Sequence, residues 1–318
     1  MKIPKFLKYA SVAGLCVVSV SIAASQALCE DQTLKVAISG DIDNFDPATN
    51  QLIAFQAAIA NTVFDSLVSY DENLKIVPRL AAAYDVSPDA KVFTFDLVDG
   101  ATFHNGQQVT AEAVVSSLKR SAKLGGVFGS PLKAVTSFET PDQDTVVLTL
   151  DKPYAPFLTA LTNLVILAPS SYENAVSEPI GSGPFKFINW TPNDRIILER
   201  NEGYWGQKPS YETLIFKPIP DPQVALTNLY AGEVDIVAEP STAVIAQVDS
   251  STAKVVRPSV SNSIVYIEMM GTKGTLANIH LRRALAYAFD RETIKAVAYG
   301  GQGDSFASPL PAGSFVYV

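Results

Sequence analysis

The sequence predicts an α/β protein of more than one domain, with a smaller α+β segment inserted into it. Strand and helix patterns alternate after residue 180, and this alternation is typical of α/β folds. Residues 85–150 are richer in strand patterns, which favours a separate α+β unit in that region. The 318 residues exceed a typical single domain, so two or more lobes are expected.

The N-terminus has the layout of an export signal. A basic start is followed by an apolar stretch over residues 9–22, and Ser25-Gln26-Ala27 then fits the small-x-small rule of signal peptidase. The apolar stretch is shorter than the roughly 20 residues that a spanning helix needs. We therefore predict a signal peptide over residues 1–27 that is removed on export to the periplasm. The basic residues are Lys2, Lys5 and Lys8.

The two cysteines argue against both a disulfide and a lipid anchor. Cys16 leaves with the predicted signal, so Cys29 has no partner within the exported chain. A leucine precedes each cysteine, where a lipidated cysteine usually follows a small residue. A free periplasmic protein is therefore favoured over a lipoprotein.

Composition and charge narrow the class of protein further. The chain is 47% hydrophobic and 18% charged, which suits a globular protein with a large core. Its formal net charge of -8 becomes more negative once the signal is removed, and such a surface repels nucleic acid and anionic lipid. With two histidines and one cysteine outside the signal, the usual ligands of a metal cluster are lacking.

The first elements of the exported chain are predicted from short-range signals. Residues 33–39 have the pattern of a strand, and Asp46-Pro47 marks a turn within the loop 40–50. Apolar residues then recur at helical spacing over residues 53–67. We expect a strand, a loop and a helix in this order.

The strand-rich segment begins with two turns and an alternating strand. Ser87-Pro88-Asp89-Ala90 and Phe103-His104-Asn105-Gly106 are turn signals. Between them, Phe93, Phe95 and Leu97 alternate with polar residues, which marks a half-buried strand. The segment is therefore expected to form a sheet with one buried face.

A capped helix and a further strand complete this segment. Thr110 can cap the helix, and Glu112 in the first turn complements the helix dipole. Residues 145–150 have the pattern of another strand. The apolar stripe of the helix consists of Val114, Val115 and Leu118.

Residues after 180 contain most of the predicted α/β elements. Gly181-Ser182-Gly183-Pro184-Phe185 marks the clearest boundary, because glycine frees the φ angle and proline removes a hydrogen-bond donor. Asp221 and Pro222 suit the N-cap and first position of a helix. The other expected elements are strands over 196–199, 213–219, 234–237 and 263–270 and a helix over 281–298.

Seven short motifs occur in one order over residues 34–303. The motifs are Leu34-Lys35-Val36 with Asn44-Phe45-Asp46-Pro47; Val77-Pro78-Arg79-Leu80-Ala81; the stretch 79–120; Gly181-Ser182-Gly183-Pro184-Phe185; Glu199-Arg200-Asn201 with Tyr204-Trp205-Gly206; Ala231-Gly232-Glu233-Val234-Asp235; and Arg283-Ala284-Leu285 with Ala288-Phe289-Asp290-Arg291. Each motif alone is unspecific. In this order they resemble the solute-binding proteins of peptide- and nickel-type ABC importers, the bacterial extracellular solute-binding protein family 5.

The resemblance implies a bilobal fold of the periplasmic-binding-protein type II, with an extra α+β domain. It implies a first lobe from residues 28–49 and 179–268, an extra domain over 50–178, and the start of a second lobe over 269–318. Family members are longer than this chain. Most of the second lobe is therefore expected to be missing, as in a truncated gene, a split gene or a fragment.

The resemblance implies the substrate-binding component of an ABC importer rather than an enzyme. Such a protein captures di- or oligopeptides in the periplasm and delivers them, as a monomer without a cofactor, to a permease with its ATPase subunits. A nickel chelate, haem, an opine or a sugar are alternative ligands, and a sensor, an adhesin or a non-functional fragment also stay open. A secreted hydrolase is disfavoured, because no histidine and acid are spaced for a catalytic triad.

The loop after the first strand holds the candidate ligand-binding residues, because strand ends line the clefts of open α/β sheets. The resemblance implies that an acidic group holds the free amine of a peptide, and Asp41 is the candidate for this charge-assisted bond. The alternative is that Asp41 and Asp43 only cap the loop. The ligand-binding candidates are Gly40, Asp41, Ile42, Asp43 and Phe45. The hinge candidates are Gly181, Gly183, Pro184, Met269 and Met270.

Three other conspicuous features have plainer interpretations. His104 lies in a predicted turn, so a turn or packing role is expected rather than contact with a ligand. Tyr204-Trp205 is expected to pack under a strand rather than face a ligand. Gly300-Gly301-Gln302-Gly303 lacks the strand before and the helix after that a nucleotide-binding loop requires.

Overall fold

The structure is a computed structural model that describes residues 32–50, 52, 55–256, 265–301 and 303–305. The predicted signal peptide, with Cys16, and the second cysteine, Cys29, lie outside these residues. The strands are β1 (Thr33–Ile38), β2 (Val68–Tyr70), β3 (Ile76–Pro78), β4 (Ala81–Val86), β5 (Val92–Leu97), β6 (Val135–Glu139), β7 (Thr145–Leu150), β8 (Phe185–Thr191), β9 (Arg195–Arg200), β10 (Thr213–Pro218) and β11 (Ile236–Val237).

Helices separate some of these strands, whereas β2–β5, β6–β7 and β8–β10 follow one another without an intervening helix. The α-helices are α1 (Asn61–Val63), α2 (Ala111–Leu124), α3 (Gly126–Gly129), α4 (Phe157–Leu161), α5 (Pro222–Tyr230), α6 (Thr242–Ile245), α7 (Ile279–Ala288) and α8 (Arg291–Tyr299). A π-helical turn (Gln56–Ala60) precedes α1, and 3₁₀ turns occur at Ser130–Ala134, Pro169–Ser171 and Thr275–Ala277.

A five-stranded mixed sheet joins the start of the chain to the region after residue 180. Its strand order is β11-β1-β10-β9-β8. Strand β1 runs parallel to both β10 and β11, whereas β10, β9 and β8 are antiparallel neighbours. Helix α5 connects β10 to β11 as a crossover, and Asp221 caps it through the backbone N–H groups of Gln223 and Val224. The α/β pattern predicted after residue 180 is confirmed for these elements.

A second, four-stranded antiparallel sheet has the order β4-β5-β7-β6. The alternation predicted for β5 is confirmed, because Phe93, Phe95 and Leu97 are all buried. Helix α2 packs against this sheet with its predicted stripe of Val114, Val115 and Leu118 buried. Thr110 caps the helix by accepting a hydrogen bond from the Ala113 N–H at 3.3 Å.

Each sheet has its own hydrophobic core. The core of the four-stranded sheet draws its buried residues from positions 67–168. The core of the five-stranded sheet also takes in Phe55, Phe64 and Leu167, which come from within the predicted extra domain. Packing thus crosses the boundaries predicted at residues 50 and 178, and the division into domains stays a prediction.

Three predicted elements differ from the structure. The helix expected over 53–67 is a π-turn followed by α1, and Phe64 already has an extended backbone. The strand expected over 263–270 is absent from its described part, 265–270. The helix expected over 281–298 divides at Phe289, because the Asp290 side chain accepts hydrogen bonds from two following N–H groups and starts α8 as its N-cap.

A buried carboxylate, Asp65, joins several of these segments. Arg79 lies 2.7 Å from one of its oxygens, and the Ser182 hydroxyl donates to the other at 3.0 Å. The Tyr204 hydroxyl and the Trp205 indole N–H add hydrogen bonds of 3.3 and 3.2 Å. We call this set of five side chains the Asp65 hub. Since Asp65 is fully buried, the hub replaces with protein donors the water that its charge would otherwise require.

The segment beside the hub requires glycine for a steric reason. A Cβ atom on Gly181 would lie 2.0 Å from the Val63 carbonyl oxygen, and one on Gly183 would lie 2.6 Å from that of Thr62. Neither glycine has a positive φ. Close approach to α1, and not the φ freedom expected from the sequence, therefore explains the two glycines.

His104 fastens the turn at residues 103–106 to the same segment. Its backbone N–H donates to the Gly181 carbonyl at 2.8 Å, and its ring Nε2 donates to the Gly183 carbonyl at 3.0 Å. The predicted turn is confirmed by the hydrogen bond from the Gly106 N–H to the Phe103 carbonyl. The ring Nδ1 is buried and has no partner among the described residues. Burial lowers the pKa of His104 from 6.5 to about 4, with Lys186 adding to this effect and Gly183 and Asp65 opposing it.

Replacing Asp65 by asparagine tests how much the Asp65 hub contributes to the free energy of unfolding. Asp65→Asn leaves the Arg79 charge without its partner, so we expect the free energy of unfolding to fall by about 3 kcal/mol or more. Urea denaturation measures this loss. The control is Asp194→Asn, which breaks an exposed pair with Arg195 and should change stability by less than about 1 kcal/mol. Equal losses in the two variants would contradict the hub.

The buried imidazole predicts a loss of stability in acid. The folded-state pKa of His104 is depressed, so the unfolded chain binds the proton first and stability falls as the pH drops from 6.5 to about 4. At about 1.4 kcal/mol per pKa unit, His104 contributes roughly 3 kcal/mol to this fall. Urea unfolding at several pH values measures the slope.

The slope should flatten in His104→Gln, which cannot titrate in this range. It should persist in His280→Gln, which removes the other histidine of the chain from an exposed position at the start of α7. A His104→Gln variant that retains the wild-type slope would assign the acid sensitivity to other groups.

Candidate functional site

The carboxyl ends of three strands meet at one edge of the five-stranded sheet. Strand β1 is parallel to β10 and β11, so Ile38, Pro218 and Val237 end side by side. Hydrogen bonds from the Ile219 N–H to the Ile38 carbonyl, at 2.8 Å, and from the Ala238 N–H to the Ala37 carbonyl, at 2.9 Å, extend the pairing. Ligands of open α/β sheets bind outside such strand ends. We call this region the strand-end edge.

A small cavity of about 80 Å³ lies at the strand-end edge. Segments that follow all three strands border it, together with residues of helix α5 and the N-cap of helix α6. Asp221 and Ser241 cap these two helices by accepting hydrogen bonds from the N–H groups of Gln223, Val224 and Val244. The lining residues are Ala37, Ile38, Ser39, Ile219, Pro220, Pro222, Ala225, Val237, Ala238, Glu239, Pro240 and Ser241.

Glu239 is the acidic side chain that borders this cavity. It is exposed, and its carboxylate has no hydrogen-bond or ion-pair partner among the described residues. Its backbone has a φ of 51°, a left-handed conformation that non-glycine residues seldom adopt. Glu239 therefore lies at the edge with acceptor sites that no described protein group fills.

The loop that follows β1 begins at the cavity and then turns into the protein. Ser39 borders the cavity, and a Cβ atom on the next residue, Gly40, would meet no described heavy atom within 4 Å. The Asp41 carboxylate accepts hydrogen bonds from the Trp190 indole at 3.2 Å, from the Asn193 N–H at 2.6 Å and from the Ile42 N–H at 2.9 Å. The carboxylate is thus bound by the protein itself.

The other predicted ligand contacts in this loop differ in exposure. Ile42 and Phe45 are buried, and the Phe45 ring packs on Phe187 and Trp190 at centroid distances of 4.5 and 5.5 Å. Asp43 is exposed and accepts a hydrogen bond from the neighbouring Asn44 amide at 3.1 Å. Of the five candidates, Gly40 lies nearest in sequence to the cavity. Their role in ligand binding stays a prediction.

The hinge candidates fall in two different environments. Gly181 and Gly183 are buried against α1, next to Pro184 at the start of β8. Met269 and Met270 lie in the segment 265–270, which has no regular secondary structure, and Met270 is exposed. Motion about either group stays a prediction.

Tyr204 and Trp205 point inward, as expected. Both donate to Asp65, and Trp205 also packs against the core of the four-stranded sheet. Burial, with the nearby Asp65 charge, raises the pKa of Tyr204 to about 12. The pair therefore belongs to the Asp65 hub.

The described part of the chain offers neither a cluster of metal ligands nor a membrane-spanning helix. No group of three or more histidine, cysteine, aspartate or glutamate side chains there could hold a metal ion. No helix there is both long and apolar enough to cross a membrane.

Sequence reasoning missed Glu239 as a site residue. A weak signal was present, because a short predicted strand leads into Glu239-Pro240-Ser241, where proline breaks the strand and serine can cap a helix. That signal marks the end of a strand. It does not reveal that the strand lies parallel to β1, and this pairing alone brings Glu239 to the cavity.

The fold is that of an α/β protein in which several strands end at one edge of a mixed sheet, the place where open α/β sheets bind their ligands. The chain belongs to the bacterial extracellular solute-binding proteins of family 5: the family model described as "Bacterial extracellular solute-binding proteins, family 5 Middle" matches residues 75–318. This match confirms the resemblance carried by the sequence motifs. The family is one of extracellular solute-binding proteins in transport.

Relatives of known name agree with this assignment. A putative ABC transporter peptide-binding protein of Brucella ovis is 31% identical over 254 residues, which cover 76% of this chain and 48% of the relative. The chain spans about half the length of the curated relatives it matches.

Two solved structures share the fold. AgaA of A. tumefaciens R10, in complex with agropinic acid, is 29% identical with a TM-score of 0.76, over 90% of this chain and 60% of that chain. The oligopeptide-binding protein AppA of Bacillus subtilis, in complex with a nonapeptide, is 26% identical with a TM-score of 0.76, over 90% of this chain and 59% of that chain. The predicted fold class, a bilobal type II binding protein, is confirmed.

Proposed function

We propose that this chain is the substrate-binding component of an ABC importer that captures di- or oligopeptides in the periplasm. It acts as a monomer and delivers its solute to a membrane permease with its ATPase subunits. The peptide-binding relatives named above support this substrate class. The observation that carries the proposal is the strand-end edge with its cavity and the unpaired Glu239 carboxylate.

The edge supplies two kinds of contact that a peptide needs. Glu239 offers a negative charge to the free amine, and a charge-assisted bond of this kind is about twice as strong as a neutral one. The backbone of Ser39 and Gly40, which follow β1, offers polar groups that can hydrogen-bond the backbone of a peptide whatever its side chains are. Closure of a second lobe over this edge would bury the solute and strengthen both contacts.

An opine is the second candidate solute. AgaA, solved with agropinic acid, is more similar in sequence to this chain than AppA is, at 29% against 26% identity. A peptide with a free amine and the same peptide with an acetylated amine distinguish the two proposals. Preference for the free amine supports peptide, and binding of an opine with no response to either peptide supports the second candidate.

Neutralising Glu239 should weaken the binding of a cationic amine. We expect Glu239→Gln to raise the Kd for dialanine by about 10- to 100-fold, since a hydrogen bond to a charged group contributes roughly 1.5–3 kcal/mol. The Kd for N-acetyl-dialanine should change little. Isothermal titration calorimetry on the exported chain measures both.

The matched control is Glu173→Gln, which makes the same change of charge at an exposed glutamate that does not border the cavity. It should leave the Kd for dialanine unchanged. If both variants lose affinity equally, the loss comes from the change in net charge. That result would contradict a direct contact between Glu239 and the amine.

A further inference from the structure

We propose that Asp41 is a positioning residue that fixes the strand-end edge through Trp190, so that the Trp190 indole responds to solute at that edge. The proposal rests on the proposed function only in its second half, the response to solute. The first half concerns contacts within the chain and can be tested without any ligand.

The carboxylate of Asp41 is saturated by donors from two parts of the chain. The Trp190 indole N–H lies 3.2 Å from both oxygens, and the Asn193 N–H lies 2.6 Å from one of them. The Ile42 N–H donates to the other oxygen at 2.9 Å. A carboxylate has about four lone-pair sites, so three donors leave little capacity for the ammonium group of a ligand.

The donors sit at the closed end of the β8–β9 hairpin. Trp190 lies near the end of β8, and Asn193 lies in the turn, with a left-handed φ of 59°. Asparagine tolerates this conformation better than most residues. The bonds from both residues to Asp41 therefore tie the hairpin end to the loop that follows β1.

A second aspartate, Asp46, holds the other end of the loop. Asp46 is buried and forms two bonds with the Arg120 guanidinium, at 2.8 and 2.5 Å. Between the anchors, the Phe45 ring packs on Trp190 at 5.5 Å. The loop is thus held at both ends, and only Gly40 separates the Asp41 anchor from Ser39 at the cavity. Such preorganisation lowers the entropy lost when a ligand binds.

A second tryptophan–aspartate pair, Trp205 with Asp65, serves as an internal reference for the pair of Trp190 with Asp41. The Trp205 indole donates to Asp65 at 3.2 Å, the same length as the bond from Trp190 to Asp41. No side chain of the Asp65 hub belongs to the loop that follows β1 and leads from the cavity to Asp41. Trp190 and Trp205 are the two tryptophans of the sequence, so labelling tryptophan reports on both pairs at once.

The ligand-free test is ¹⁹F NMR on the chain labelled with 5-fluorotryptophan, with Trp190→Phe used to assign the two resonances. We expect Asp41→Asn to shift the Trp190 resonance and leave that of Trp205 in place. Hydrogen exchange at the Asn193 and Ile42 amides should accelerate in the same variant. A Trp190 resonance that is unmoved by Asp41→Asn would overturn the proposal.

The ligand test uses dialanine and N-acetyl-dialanine as probes. Dialanine should shift the Trp190 resonance and not that of Trp205. If Asp41 acts through Trp190, Asp41→Asn and Trp190→Phe should weaken the binding of both probes to a similar degree, by about tenfold. If Asp41 instead holds the amine directly, Asp41→Asn should weaken dialanine alone and Trp190→Phe should have no effect, which would overturn the positioning role.

Failure of the proposed function gives a different pattern. Suppose that neither probe shifts either resonance, while Asp41→Asn still shifts that of Trp190. The peptide substrate is then wrong, and the contact between Asp41 and Trp190 is supported. A probe that shifts Trp205 and not Trp190 would overturn the response of Trp190 to solute.

Discussion

The buried carboxylate of Asp65 is the point at which distant segments of the chain are brought together. Removing a carboxylate from water costs several kcal/mol unless protein donors replace the water. Here the donors are the side chains of Arg79, Ser182, Tyr204 and Trp205. They come from three motifs that are distant in sequence and by which the family is recognised. The three motifs therefore meet at one site in the fold. There, several segments of the chain together stabilise the buried charge of Asp65.

The hub also explains why the segment at residues 181–183 is so closely packed. Ser182 must reach Asp65, and this requires the flanking glycines to lie against the backbone of α1. The Gly183 carbonyl, in turn, accepts hydrogen bonds from His104 at 3.0 Å and from the Asn201 amide at 3.1 Å. Backbone groups of this short segment thus connect the turn at residues 103–106 to the start of the five-stranded sheet.

Local features could be predicted from the sequence, whereas contacts between distant segments could not. The cap at Thr110 and the alternation along β5 depend on neighbours a few residues away, and both were correct. The division between α7 and α8 was missed because apolar spacing continues across Asp290, whose capping bonds outweigh it. The Asp41–Trp190 bond spans 149 positions, and no periodic pattern encodes such a pairing.

Four acidic residues, Asp41, Asp46, Asp65 and Glu239, differ in the partners that the fold gives them. Asp65 is buried within its hub, Asp46 is paired with Arg120, and Asp41 is bound by Trp190 and two backbone N–H groups. Glu239 alone among these four has an unpaired charge, and it stands where three strands end. An acidic residue can bind a ligand only with acceptor sites that the protein leaves unfilled. The long-range pairing of strands, and not the type of residue in the loop, therefore decides which of these acidic residues keeps free acceptor sites at the strand-end edge.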